Sequence, residues 1–201
     1  MGRILLQGKP PSEPFTVEPG SHLDNVLNFG HQWEPRIVSQ YAKEHGLKER
    51  AEDTPIEDLN PGEITRHNLA VYDLQGKAHA SLDAVQRNHD GTVTIVEVKT
   101  GGYGHFDRLP QNRRSGYYAQ AKCEQTIKGA SSVKILYAHR PYEFESMSDR
   151  EIAADTLNSI EEIPVDRTRT DNVRMWNGRS LSDLDLNGLL ESVDHAKEGG
   201  R

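Results

Sequence analysis

The segment Thr92-Val93-Thr94-Ile95-Val96-Glu97-Val98-Lys99 is dense in β-branched residues and follows an Asp90-Gly91 turn signal. It predicts a β-hairpin of residues 78 to 85 and 92 to 99. Side chains on a strand alternate with period two, so Val96 and Val98 should face a buried side while Glu97 and Lys99 project together from the other. A three-residue connection, His89-Asp90-Gly91, pairs position 83 with 97; a two-residue Asp90-Gly91 turn pairs it with 98 and turns Asp83 to the wrong face. The odd-length loop is the expectation. Trp33, Ile37, Val38, Tyr41 and Ala42 recur at helical spacing before Gly46, and a second helix runs from about Pro110 to Lys128, stopped by Gly129. Pro35 requires the first helix either to begin there or to kink.

Strands near Arg66 to Asp73 and at Val133 to Ala138 complete an expected central mixed sheet flanked by these two helices, an α/β (α+β) fold. Ile160 to Met175 adds strand structure, and Leu184, Leu189, Leu190 and Val193 suggest a closing helix. Residues 48 to 64, acidic and carrying Pro55 and Pro61, read as a loop. Residues 1 to 20, rich in Pro and Gly, read as an extended arm, residues 21 to 196 as a single domain, and 197 to 201 as a mobile tail. A chain of 201 residues suffices for one sizeable core even at 34% apolar content.

Charge alters the picture. The formal net charge is -7, which argues against a basic nucleic-acid footprint. Its distribution answers part of that objection. From Lys99 to Arg140 there are eight Lys or Arg (Lys99, Arg108, Arg113, Arg114, Lys122, Lys128, Lys134, Arg140) against two acids, leaving 16 basic against 29 acidic residues elsewhere. Arg108, Arg113 and Arg114 fall in a stretch from Gly101 to Ser115 whose glycines suggest a flexible loop over a cleft, able to contact a phosphate backbone.

Asp83 and Glu97, directly opposed on paired strands, would have Cβ atoms roughly 5 Å apart and repel unless a cation lies between them. Oxygen-only ligation suits Mg²⁺, with Mn²⁺ as substitute, better than zinc, and Lys99 stands near enough to orient or deprotonate a water or to offset charge on a phosphate. A bare Glu-x-Lys triplet is ordinary charged alternation on an edge strand. Its neighbours in sequence give it weight: Gly30-His31-Gln32-Trp33-Glu34 upstream, Ser81-Leu82-Asp83 between, and Tyr117-Tyr118-Ala119-Gln120 downstream.

The order Gly-x-x-x-Glu, Ser-x-Asp, Glu-x-Lys and Tyr-x-x-Gln resembles the PD-(D/E)xK nuclease superfamily, specifically its lambda exonuclease and YqaJ-like viral recombinase branch, over roughly residues 28 to 140. The resemblance implies a restriction-endonuclease-like core. It makes Asp83 and Glu97 metal ligands, the Val98 main-chain carbonyl a further ligand, Lys99 the catalytic lysine, and Glu34 a helix carboxylate reaching the metal directly or through water. Gln120 would position the scissile phosphate or the lysine, and Tyr117, with Arg108, Arg113, Arg114 and Lys122, would contact nucleic acid. The implied activity is Mg²⁺-dependent exonuclease action on linear double-stranded DNA ends in phage-type recombination. A single-strand annealing protein is the implied partner and a ring trimer the implied assembly. Two alternatives remain: a restriction or structure-specific endonuclease on the same core, and a DNA-end-binding protein without turnover.

Cys123 is the only cysteine, so an intrachain disulfide and a four-cysteine iron–sulfur cluster are both excluded. It reads as a small buried residue on the Gln120 helix. The nine histidines show no zinc spacing. Neither a targeting feature nor an apolar run of about 20 residues is apparent, so a cytoplasmic protein without membrane contact is expected, in the host cytoplasm if phage-encoded.

Overall fold

The computed structural model describes residues 2–7, 16–67, 71–74 and 78–198. In chain order the helices are α1 (Gly2–Gln7), α2 (His22–Glu44), α3 (Gln111–Lys128), α4 (Asp149–Thr156), α5 (Arg167–Thr170) and α6 (Leu186–Glu198). The strands are β1 (Lys48–Glu49), β2 (Glu63–Arg66), β3 (Val71–Leu74), β4 (Ala78–Ser81), β5 (Ala84–Arg87), β6 (Val93–Gly101), β7 (Ser132–His139) and β8 (Glu161–Pro164). Six strands form one mixed sheet in the order β1-β2-β5-β6-β7-β8, with β1/β2 and β6/β7 parallel, and β3 with β4 makes a separate antiparallel ribbon. The fold is α+β, as the alternating strand and helix patterns predict.

The hairpin register is the one the odd-length loop demands. Val85 pairs with Ile95 and Arg87 with Val93, Asn88 N–H bonds Thr92 O at 2.8 Å, and Gly91 takes φ 84° at the turn, which a side chain would oppose. Asp90 Oδ1 accepts from the Thr92 N–H at 2.9 Å and closes the loop.

The single strand expected at 78 to 85 is instead two. Residues 78 to 81 pair with β3 in the ribbon and 84 to 87 pair with β2 and β6 in the main sheet, with the break at Leu82-Asp83. The strand expected from Arg66 to Asp73 divides likewise, and its residues 68–70 lie outside those described. Segment 48 to 64 contributes the short β1 rather than loop alone.

β6 is covered on both faces, which corrects the expectation of one buried side. Ile95 packs with Ile135, Tyr137, Ala119 and Cys123 beneath α3, while Val96 and Val98 pack with Trp33, Ile37, Val38 and Leu136 beneath α2. A β-branched run of this kind suits a strand buried on both sides. Helix α2 is tied across the sheet by Tyr41, whose hydroxyl donates to Gln86 Oε1 at 2.8 Å and accepts from Lys134 Nζ at 2.9 Å.

Helix α2 begins at His22, capped by the Ser21 side chain on the Asp24 N–H, so Pro35 lies inside it. A helix start at Pro35 is thereby overturned, and the missing donor leaves the His31 carbonyl without its i+4 partner. Helix α3 matches expectation closely, from the Pro110 cap to Gly129 in the left-handed region at φ 62°. The stretch from Gly101 to Ser115 is not one flexible loop. Phe106 and Leu109 are buried, a 3-10 turn spans Phe106–Arg108, and Arg113 and Arg114 belong to α3.

The arm expected at residues 1 to 20 contains α1, whose Leu5 is fully buried and whose Leu5 carbonyl accepts from the Trp176 N–H at 2.9 Å. Leu5 and Leu6 gain more from packing in the core beside α3 and α6 than from extension. Residues 8–15 of that arm and 199–201 of the expected tail lie outside the described residues, while Lys197 and Glu198 close α6. β8 supplies the strand structure expected near Ile160, after which the chain turns into α5.

Trp33 is 1% exposed in the α2-side core. Trp33→Ala is expected to cost about 3–5 kcal/mol, read as a lowered midpoint in urea denaturation with an unchanged slope.

Candidate active site

The residues singled out in four separate stretches of sequence converge where β5 ends and β6 continues. The β5–β6 ladder stops at Ala84 opposite Val96, and the Val98 N–H two residues further on is taken by Asp83 Oδ2 at 2.6 Å. A side-chain carboxylate thus replaces a main-chain acceptor at the fork. The break at Leu82-Asp83 makes this possible, because Leu82 anchors in the core at 1% exposure and the Asp83 carbonyl is held by the His67 N–H at 3.0 Å.

Glu97 points from β6 towards α3 and is fully buried, not displayed to solvent. Its Oε1 accepts from Gln120 Nε2 at 2.7 Å and from the Lys99 ammonium on the same strand face. Its Oε2 has no hydrogen-bond partner. Gln120 Nε2 also donates to Glu124 Oε1 at 3.0 Å. Glu124, 3% exposed, is a site residue that sequence reasoning missed; Gln120 and Glu124 stand four apart on α3, and that i,i+4 spacing was the available signal. Its Oε2 is likewise unpartnered.

A cavity of about 350 Å³ opens above this group, lined by Gly30, His31 and Glu34 of α2, by Asp83, by Val98 to Gly102, by Arg113 and Tyr117 of α3, and by Arg140. Gly30 lies close to the end of β6: a Cβ there would make ordinary contact with Thr100 Oγ1 at 3.6 Å. Of the residues expected to contact nucleic acid, Arg113 and Tyr117 line the cavity, with the Tyr117 ring 5.8 Å from Lys99 Nζ. The others do not. Arg114 is paired with Asp107 at 3.5 Å and lines a different cavity, Lys122 bonds Gln125 Oε1 at 2.6 Å beside a third, and Arg108 ends the 3-10 turn. Arg140 and His31 enter the cavity without having been singled out. Cys123 is buried on α3, which pushes its thiol up to about 12, so it is inert as a nucleophile.

Electrostatics bind the carboxylates together. Burial, then Glu97, then Glu34 push the Asp83 carboxyl well above the usual range against the pull of Lys99 and the Val98 N–H. Burial and Glu97 raise Glu34 against His31 and Lys99, and burial and Glu97 raise Glu124. Burial opposes the Lys99 charge, yet Glu97 and Asp83 outweigh it and hold the lysine above its ordinary value.

Among the described residues no three His, Cys, Asp or Glu side chains stand as a ready-made metal-binding group. The donor chemistry nonetheless suits a hard divalent cation: Asp83, Glu97 and Glu34 offer carboxylate oxygen only, they raise one another's proton affinity or stand beside groups that do, and Glu97 Oε2 is buried without a partner. Among the described residues no helix is long and apolar enough to cross a membrane. Comparison with protein-family models, with curated proteins and with solved structures finds no match.

Because Asp83 holds its proton more tightly folded than unfolded, the folded protein should lose stability as pH rises above the unfolded-chain value of about 3.9. In EDTA, Asp83→Asn keeps an acceptor for the Val98 N–H but buries no charge. It is expected to be more stable than the parent at pH 7, with the gain shrinking towards pH 4; urea denaturation at both pH values checks this.

Proposed function

We propose that the chain is a divalent-metal-dependent deoxyribonuclease, acting as an exonuclease on the ends of linear duplex DNA. The observation that carries this reading is that Glu34, Asp83 and Lys99, from three stretches of sequence, line one cavity with Arg113 and Tyr117, and that Lys99 there bonds the buried Glu97, which Gln120 also holds. Asp83 and Glu97, with Glu34 and the Val98 carbonyl, would hold Mg²⁺ or Mn²⁺, which when bound would supply charge neutralisation and activation of a water.

The remaining work falls to the chain's own groups. Glu34 and Asp83, on the acidic wall, accept hydrogens from a water and orient it towards phosphorus. Lys99 faces the same space and offsets the charge that builds on the non-bridging phosphate oxygens. Hydrolysis forms a bond from the water oxygen to phosphorus and breaks the bond to the leaving sugar oxygen, which takes up a proton. Gln120 touches none of the reacting atoms in this scheme; it fixes Glu97 against α3 by donating to both Glu97 and Glu124.

The exonuclease form, the phage-recombination setting, a single-strand annealing partner and a ring trimer rest on the motif resemblance alone. An endonuclease on the same core differs in one respect that is easily read, since it would also open closed circular duplex.

Purified protein incubated with end-labelled linear duplex and with closed circular duplex, in Mg²⁺ and in EDTA, tests the reading. Metal-dependent loss of the linear DNA alone is expected, with Lys99→Ala and Asp83→Asn each slowing it by about 10²-fold or more. Degradation of neither substrate with binding intact would overturn hydrolysis; nicking of the circle would replace the exonuclease by an endonuclease.

A further inference from the structure

Besides its carboxylates, the cavity is lined by two arginines that hydrolysis as described does not use. Arg113 enters from the first turn of α3 and Arg140 from the residue after β7. Neither has an ion pair among the described residues, whereas Arg114, the next residue along, is tied to Asp107.

Arg140 is held in place by everything except an anion. Its N–H bonds the Gly101 carbonyl at 2.7 Å, its guanidinium lies 5.0 Å over the Phe144 ring, and its Nε is shut off from water with no hydrogen-bond partner. Glu145, the carboxylate that acts on it, is engaged by Asn25 at 2.9 Å and His22 at 3.3 Å. Burial works against its charge more strongly than Tyr137 and Glu145 support it. Such a cation is short of negative charge, and a bound anion would restore it.

Backbone without side chains lies beside the guanidinium. Gly101 and Gly102 line the cavity without side chains. A Cβ on Gly102 would sit 3.6 Å from Arg140 Nη2, and one on Gly101 would meet the buried Tyr137 hydroxyl at 2.5 Å. That hydroxyl donates to the Tyr103 carbonyl at 2.7 Å and fixes the bend beyond β6. The planar guanidinium fork matches the paired oxygens of a phosphate.

We infer that Arg113 and Arg140 form a phosphate subsite that receives the internal diester phosphate adjoining the scissile one. Arg113 is exposed, so the subsite opens to solvent and the strand continues past it; a closed pocket would suit a terminal monoester instead. The inference deepens the nuclease reading, on which it relies for the polymer but not for anion binding.

The test is fluorescence anisotropy with fluorescein-labelled duplex oligonucleotides in EDTA, one set 5′-phosphorylated and one 5′-hydroxyl, using the full chain. Arg140→Ala and Arg113→Ala should each weaken binding about tenfold on both sets and lower the slope of log affinity against log salt by about 1. Arg140→Lys, which keeps the charge but loses the fork, should recover only part. Arg167→Ala removes an exposed cation beside a different cavity and should change affinity by less than twofold. Thermal melts identify any variant that fails to fold, and for Arg140 the lysine variant then carries the comparison. Unchanged binding in both alanine variants, or a loss confined to 5′-phosphorylated duplex, would overturn the inference. Because binding is read in EDTA without turnover, it is set beside the Mg²⁺ degradation assay: a parent that degrades DNA there while its variants bind normally here sinks the subsite alone. Lost binding in the variants without degradation by the parent sinks the hydrolytic reading alone.

Discussion

A carboxylate buried at the centre of the sheet is the constraint around which the rest is arranged. Glu97 is fully inaccessible to solvent, in a layer where an unpaired charge costs several kcal/mol even after relaxation. The cost is met locally, by Lys99 two residues along the same strand and by Gln120 from α3. Both partners must arrive at one oxygen, so α3 has little freedom to slide or rotate. Its neighbours Tyr118, Ala119, Ala121 and Cys123 are buried in the same core, and the apolar contacts and the polar contact therefore specify the same placement of the helix. The balance is incomplete, since Glu124 adds a second buried carboxyl that shares the Gln120 amide, and each glutamate keeps one oxygen without a partner. Buried polar groups left unsatisfied are uncommon in folded proteins and concentrate where a site does chemistry.

The same strand explains why the site opens where it does. β5 and β6 pair only as far as Ala84 and Val96, and beyond that point β6 runs on alongside β7 to Gly101 opposite His139. The resulting fork exposes the N–H of Val98 on one side, and Asp83 fills it with a carboxylate. A continuous strand from 78 to 85 would have covered this N–H with main chain and left no acidic group in the plane of the sheet. The ribbon of β3 and β4, apart from the main sheet, is the other consequence of that break.

Much of this was legible because it rests on short-range rules. The three-residue His89-Asp90-Gly91 loop sets the hairpin register through the turn alone, and with it the approach of residue 83 to residue 97. Pro110 and Gly129 delimit α3 by their backbone chemistry, and the spacing of Gln120 from Tyr117 follows. What could not be read depended on tertiary choice. His22 to Gln32 carries mixed polar and apolar residues with no clean stripe and leads into Pro35, so its helicity comes from packing Phe29 and Trp33 on the sheet beside Phe144. The break at Leu82-Asp83 has neither Gly nor Pro to mark it; burial of Leu82 decides it. Glu124 reads as one more polar helix position until the partner face of β6 is known. Arg140 follows a strand, and nothing in its neighbours reveals that Gly101 and Gly102 lie beside it.

A net charge of -7 would seem to repel a polyanion, but the sum is the wrong quantity. Exposed charges more than about 8 Å apart at physiological ionic strength are largely screened from one another, so an approaching phosphate responds to the local arrangement. Many of the surface cations are already neutralised: Arg36 by Asp149, Arg66 by Glu52, Arg167 by Asp183, Arg169 by Asp107 and Lys134 by Glu162. Arg113 and Arg140 have no ion pair among the described residues, and they line the same cavity as Asp83 and Glu34. The cavity lining therefore carries both signs, Arg113, Arg140 and Lys99 together with Asp83 and Glu34. Such a lining favours a ligand that itself combines an anionic group with a cation or a water's hydrogens. Acidic residues elsewhere do not cancel this lining, because several of them are engaged with arginines and lysines outside the cavity.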